Sequence, residues 1–254
     1  MTKDINNYWR KYKEIYSFEE ILRKYREQKA LDFLVEQKAK NILEIGCGFT
    51  PCFKKYDDFN SYTVIEPGKD AWKNAKTLSR NYTNVECIND YFEMSYKEIM
   101  NKKFDCIIST GVLHETPTPE KFLRTLGALL TEDNSVYLNV PNAKSFHRVI
   151  AKEMGLINDI HQKSERNMVL EQNANYDIET LKKTILKVLP EVTIKECKSF
   201  FIKPFTHSQM MRCIENDIIN DEIIDGLFSL SKYFPEYGCE LYCVFSKNGK
   251  LDYG

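Results

Sequence analysis

The chain has 254 residues, with 36 lysines and arginines against 37 aspartates and glutamates, for a formal net charge of −1. This near-balance gives no electrostatic footprint for nucleic acid. No apolar run is long enough to cross a bilayer and the polar start does not read as a secretory signal, so a cytoplasmic protein without membrane contact is expected.

Composition suits an ordinary globule, and the length suits one large domain or one domain with a small lobe. Four of the eight cysteines, Cys47, Cys87, Cys106 and Cys243, sit in apolar, strand-like runs, and no Cys-x-x-Cys pair occurs. Cys239 and Cys243 lie too far apart along one strand to bridge. Reduced, mostly buried thiols are the expectation, and the four histidines form no zinc-spaced cluster.

Residues 1–40 read as helical. Tyr8, Trp9, Tyr12 and Tyr16 recur at helical spacing, and Ser17-Phe18-Glu19-Glu20 has the form of a capping box. The helix it opens runs to about Lys38, with Ile21, Leu22, Tyr25, Leu31, Leu34 and Val35 as its apolar face. Asn41–Ile45 is a short apolar strand carrying Glu44, followed at once by Gly46-Cys47-Gly48-Phe49-Thr50-Pro51. The glycines allow a sharp bend and close approach of a ligand to the main chain. Thr50 and Pro51 read as cap and first residue of a helix, which would place a helix N-terminus beside the bend. Ser61–Ile65 is a second strand ending on Glu66, where a carboxylate can accept both hydroxyls of a ribose.

Pro67-Gly68 breaks the chain, and Asp70–Leu78 is a helix. Val85–Ile88 is a strand leading into Asn89-Asp90-Tyr91-Phe92; Asp90 also suits a helix cap. Phe104–Ser109 is a strand leading into Thr110-Gly111-Val112-Leu113-His114. Thr118 and Pro119 start a helix running to about Leu130, and Ser135–Val140 is a fifth strand. Residues 156–175 are polar and poorly periodic. Asp177–Val188 is an amphipathic helix, Val192–Ile202 a strand, Thr206–Ile219 and Asp221–Tyr233 two helices, and Cys239–Phe245 the last strand. Such alternation implies right-handed crossovers and a parallel sheet. The fold expected is α/β: a doubly wound, Rossmann-like, mostly parallel seven-stranded sheet with N-terminal helices and a helical insertion before the last strand.

A dinucleotide fingerprint wants a third small residue where this chain has Pro51, and the Gly-Lys-Ser/Thr of a phosphate loop is absent. Glu44-x-Gly46-x-Gly48 together with Glu66 resembles the first two motifs of class I S-adenosylmethionine-dependent methyltransferases, although Thr50 stands where many members carry a third glycine. Pro141–Arg148 and Met154–Ile157 resemble a subgroup that modifies sugars, quinones and other small biosynthetic molecules. The resemblance implies S-adenosylmethionine as methyl donor, S-adenosylhomocysteine as product, and no metal. It implies cofactor contacts from Glu44, Gly46, Cys47, Gly48, Glu66, Pro67, Asp90, Tyr91, Thr110 and Gly111, with Asp90 reading the adenine amino group. It further implies methyl transfer to an oxygen, a hydroxyl or carboxylate, of a small-molecule, sugar or peptide acceptor. Residues 1–40 would then cover or lid a methyltransferase domain of residues 41–254, with acceptor-side segments near 145–175 and 204–235.

A sulfonium donor is already a strong electrophile, so the protein must chiefly orient the acceptor and, for a hydroxyl, remove its proton. His114 is the first candidate base; a pocket wall or a helix cap is its plainer role. His147 is the second. Tyr8, Tyr12, Arg148 and Tyr176 are candidate acceptor contacts, and His161 and His207 candidate lining of the acceptor lobe. Two other classes stay open: a nicotinamide-dependent oxidoreductase using the same crevice, and a non-catalytic cofactor-binding protein.

Overall fold

The computed structural model describes residues 18–169 and 172–247. Its strands are β1 (Asn41–Ile45), β2 (Ser61–Ile65), β3 (Val85–Ile88), β4 (Cys106–Thr110), β5 (Ser135–Pro141), β6 (Val192–Phe200) and β7 (Glu240–Lys247). They form one seven-stranded sheet in the order β3-β2-β1-β4-β5-β7-β6. β1 to β5 pair in parallel, whereas β7 runs antiparallel to both β5 and β6. The expected doubly wound, mostly parallel sheet is therefore present, closed at one side by an antiparallel hairpin.

The helices are α1 (Glu19–Glu36), α2 (Lys69–Leu78), α3 (Phe92–Ile99), α4 (Pro119–Gly127), α5 (Phe146–Glu153), α6 (Glu165–Val169), α7 (Ile178–Val188), α8 (His207–Glu215) and α9 (Asp221–Ser229). Central strands are apolar and buried along their length because helices cover both faces. One face packs Ile42, Tyr62, Val64, Ile108 and Tyr137 against α1, α2, α8 and α9. The other packs Leu43, Ile107, Val136 and Leu138 against α3, α4 and α7.

α4 starts with Pro119 in its first turn, without a side-chain cap from Thr118. Side-chain caps account for other helix starts. Asp177 and Thr180 bond reciprocally at the start of α7, as Thr206 and Gln209 do at α8. Other expectations shift. Ser17 lies outside the described residues and Phe18 takes the position before α1. The buried stripe of α1 runs through Leu22, Tyr25, Ala30, Phe33 and Leu34, leaving Val35 62% exposed. The stripe turns toward Phe33, which stacks near Tyr137 of β5. α4 stops at Gly127, short of Leu130.

The largest change follows the glycine bend. In place of a helix opened by Thr50 and Pro51, the backbone at Pro51 is extended and a single 3-10 turn occupies Cys52–Lys54. The cause is Glu44: its carboxylate accepts from the Cys52 amide at 3.1 Å and holds the chain close to the sheet, where Phe53 packs on Tyr62 and Tyr82.

Two antiparallel pairings return the carboxyl end of β6 to the edge where β1 to β5 end, so the 201–239 insertion departs from that edge. It packs on α1, with Tyr25 stacked on Phe228 at 4.6 Å between ring centroids and 5.1 Å from Phe201. A buried polar chain runs beside these rings. Lys203, 1% exposed, lies 3.0 Å from His207 Nδ1, and His207 Nε2 lies 3.4 Å from Glu19. Arg26 joins Glu19 to Glu240 at 3.1 Å from the latter, and Asn139 Nδ2 donates to Glu240 at 3.1 Å.

Candidate active site

The crevice is assembled where β1, β2, β3 and β4 end side by side; Ile45 stands opposite Ile65 and Ser109, and Ile65 opposite Ile88. Gly46 turns the chain out of β1 with φ +77°, its amide donating to Ile65 O at 2.8 Å. A Cβ on Gly46 would stand 2.4 Å from Val112 Cγ2, so both the dihedral and the neighbour require glycine. Gly48 also has a positive φ, +55°.

Glu66 fixes this bend. It is 3% exposed, accepts from the Gly48 amide at 2.9 Å through one oxygen, and from the Gly68 amide at 2.7 Å through the other. Each carboxylate oxygen has further acceptor capacity. A vicinal diol donating to both oxygens is therefore compatible with the bend as it stands. Burial pushes the Glu66 carboxyl up to about 7, against the opposing pull of the two amides.

Beside it lies a pocket of about 80 Å³ walled by Ile45, Ile65, Pro67, Tyr91, Val112 and Phe122. Apolar walls next to a buried carboxylate with spare acceptor capacity are compatible with a nucleoside. Asn89 clasps the end of β2, donating to Glu66 O at 2.9 Å. Asp90 is exposed beside Tyr91, its Oδ1 accepting from the Tyr91 amide at 2.8 Å. It is not the helix cap, which falls at Tyr91.

Glu44 requires a correction. It is 3% exposed and bonded to Cys52 N and to Tyr62 Oη at 2.8 Å, so it braces the loop from behind instead of lining the crevice. Burial pushes its carboxyl up to about 7 as well. Cys47 is buried, its thiol donating to Gly48 O at 3.2 Å and pushed up by burial. Pro67, Thr110 and Gly111 are half-buried at the strand ends; Gly111, with φ +71°, donates to Asn139 O at 3.0 Å.

Past β4, a 3-10 turn spans Leu113–Glu115 and buries His114. His114 Nε2 is 3.2 Å from Glu115 Oε1, and its Nδ1 is buried with no hydrogen-bond partner. Gln172 donates to the same Glu115 oxygen at 2.6 Å, and the Asn173 amide donates to His114 O at 3.0 Å. The 172–176 segment thus locks the turn in place. His147 sits in the first turn of α5, half-buried.

The acceptor-contact expectations fare differently. Tyr8 and Tyr12 lie outside the described residues. Tyr176 is 5% exposed within the apolar core, where burial pushes its phenol up to about 12. A parallel bridge to Asn142 draws it inward. Arg148 straps a loop, its Nε donating to Ile160 O at 2.8 Å, and burial lowers its guanidinium. The Tyr176 side chain is turned into the core, whereas Arg148 is half-buried and engaged with the loop. His161 stands between Asp159 and Asp177, each at 3.3 Å, and His207 belongs to the buried chain described above. Val112, Asn89 and Gln172 were not singled out from the sequence; only the position of Val112 directly after Gly111 offered a signal.

Among the described residues, no group of three or more His, Cys, Asp or Glu is arranged for a metal ion, and no helix is long and apolar enough to cross a membrane. A larger groove of about 430 Å³ lies between α1 and residues 49–55. Two of its lining charges are engaged across it, with Lys55 2.8 Å from Glu27 and Arg23 donating to Thr50 at 2.9 Å.

A glycine bend pinned by a buried acid, an apolar slot and a polar rim together define a nucleoside-binding α/β enzyme. The family described as "Methyltransferase domain" matches residues 15–184, and the chain belongs to it; it is a class I S-adenosylmethionine-dependent methyltransferase. Solved structures share the fold. The plantazolicin methyltransferase BamL, in complex with a triazolic desmethylPZN analog and S-adenosylhomocysteine, is 18% identical, with 96% of each chain covered and a TM-score of 0.58. A putative methyltransferase complexed with the Haloferax volcanii Trm112 activator is 10% identical, covering 98% of this chain and 100% of that one, TM-score 0.62. The N-methyltransferase NodS from Bradyrhizobium japonicum, in complex with S-adenosylhomocysteine, is 13% identical, covering 90% and 88%, TM-score 0.53. No curated protein matches the sequence.

Proposed function

We propose that this methyltransferase acts on an oxygen of a small-molecule, sugar or peptide acceptor, with His114 as the base. S-adenosylmethionine, when bound, supplies a methyl group already activated on a sulfonium. The chain's own residues have three tasks. Glu66 accepts the ribose hydroxyls while holding Gly48, so the bend and the ligand are fixed by one carboxylate. Ile45, Ile65, Pro67, Tyr91 and Val112 enclose the adenine and keep water from it, and Asp90, exposed beside Tyr91, accepts from the adenine amino group. His114, held by Glu115 at 3.2 Å, takes the proton of the acceptor hydroxyl, and the carboxylate stabilises the imidazolium that results.

The observation that carries this reading is the partnerless Nδ1 of the buried His114: one ring nitrogen faces the carboxylate and the other has an unmet need. The same geometry serves an ammonium acceptor, which also must lose a proton. The carboxylates of Glu93 and Glu115 at the slot favour that second reading, and NodS is an N-methyltransferase by name. The 201–239 insertion is proposed to roof the acceptor, and a peptide acceptor draws support from the likeness to the plantazolicin enzyme.

Incubation of the protein with S-adenosylmethionine and a panel of hydroxyl, carboxylate and amine acceptors tests the proposal, read by mass spectrometry of each acceptor. Methylation of hydroxyls, lost in His114→Ala with S-adenosylhomocysteine affinity unchanged, is expected. Methylation of amines alone would establish the second reading, and undiminished turnover in His114→Ala would remove the base.

A further inference from the structure

Cys197 in β6 and Cys243 in β7 are direct register partners on adjacent antiparallel strands. Residues so placed carry side chains on one face with Cα atoms about 4.5–5.5 Å apart, inside the about 4.4–6.8 Å range that a disulfide spans. Both side chains enter the apolar cluster beneath α7. By contrast, Cys87 stands opposite Val64, and Cys106 opposite Ile42 and Ser135.

The pair is asymmetric. Cys243 is fully buried, whereas Cys197 is half-buried on the outermost strand of the sheet. A small oxidant reaches Cys197 first. The neighbouring Cys243 thiol and the nearby Lys182 ammonium hold the Cys197 thiol below its usual range, which favours the reactive thiolate there.

We propose that Cys197 and Cys243 are an oxidisable thiol pair which hydrogen peroxide converts into a cross-strand disulfide, stapling the 201–239 insertion. The Cys197 thiolate attacks one peroxide oxygen; the S–O bond forms, the O–O bond breaks, and the departing hydroxide takes a proton to leave as water. Cys243 sulfur then attacks the sulfenic sulfur. The S–S bond forms, the S–O bond breaks, and the hydroxyl leaves as water with the Cys243 proton. Two thiols are oxidised and one peroxide is reduced to two waters. The new bond closes residues 198–242 into a loop, and such closure restricts the unfolded chain.

The test treats the full chain with stoichiometric hydrogen peroxide, alkylates it, digests it without reductant and sequences the linked peptides by fragmentation, which separates Cys243 from Cys239. A Cys197–Cys243 link reversed by dithiothreitol is expected, with melting raised by roughly 4–8 °C in the wild type and not in Cys197→Ser. A link through other cysteines, overoxidation of Cys197 without any link, or a linked protein that melts no higher would each overturn it.

Discussion

Gly46 shows how much one missing Cβ decides. Its φ of +77° already disfavours a side chain, and the 2.4 Å approach to Val112 Cγ2 leaves no room for one. Gly46→Val is expected to abolish S-adenosylhomocysteine binding in calorimetry. Gly46→Ala is expected to weaken it, with Val112→Ala restoring part of the loss by vacating the contested space; no restoration would place the whole cost in the dihedral. Glu66→Ala removes the acceptor of two backbone amides and, on the proposed ribose contact, of two ligand hydroxyls. Affinity is expected to fall by about 1.5–3 kcal/mol, and an unchanged titration would reject the ribose contact. Both residues were readable in the sequence because spacing from the strand end set their place. Tyr176 and Arg148 were not, since their burial depends on partners in Asn142 and Ile160 that no local pattern announces.

At the scale of the elements, the segment from Gly46 to Lys54 is held by two buried carboxylates and not by a helix. Glu44 and Glu66 both have folded values pushed up to about 7, above the ordinary glutamate value of about 4.3. The folded chain therefore holds these protons more tightly than the unfolded one. Their contribution is most favourable below about pH 4.3 and is lost as pH rises through 7. Melting of the ligand-free protein is expected to decline between pH 5 and pH 8. Glu44→Gln keeps an acceptor for Cys52 N without the charge, so its decline is expected to be shallower; parallel profiles would show that Glu44 does not titrate with folding. Sequence periodicity suggested a helix here because threonine followed by proline is a common start. It could not reveal that a carboxylate eight residues earlier would capture the Cys52 amide first.

Across the whole molecule, the alternation of strands and helices made the sheet legible, down to seven strands and the insertion before the last. What stayed hidden was the long-range polar chain joining α1 to β7, since Arg26 and Glu240 are ordinary surface residue types until the fold buries them. Arg26 is 13% exposed at its side chain and Glu240 3%. Arg26→Met takes the shared cation from two buried carboxylates, leaving Glu19 with His207 and Glu240 with Asn139, and denaturant unfolding is expected to show a loss of up to about 3–5 kcal/mol. Adding Glu240→Gln is expected to recover part of it, whereas simple additivity would mean the pair is not coupled.

The insertion leaves the sheet after Phe200 and rejoins it at Glu240, and these two residues face each other across the β6–β7 ladder. Its two attachment points are thus neighbours on one rung, so a longer, shorter or differently shaped segment can be accommodated there without disturbing any other strand. On the proposal that this segment roofs the acceptor, drift within it would retune what the enzyme modifies while the Gly46 bend and its Glu66 brace stay as they are. Inheritance of the donor would then be separate from invention of the recipient.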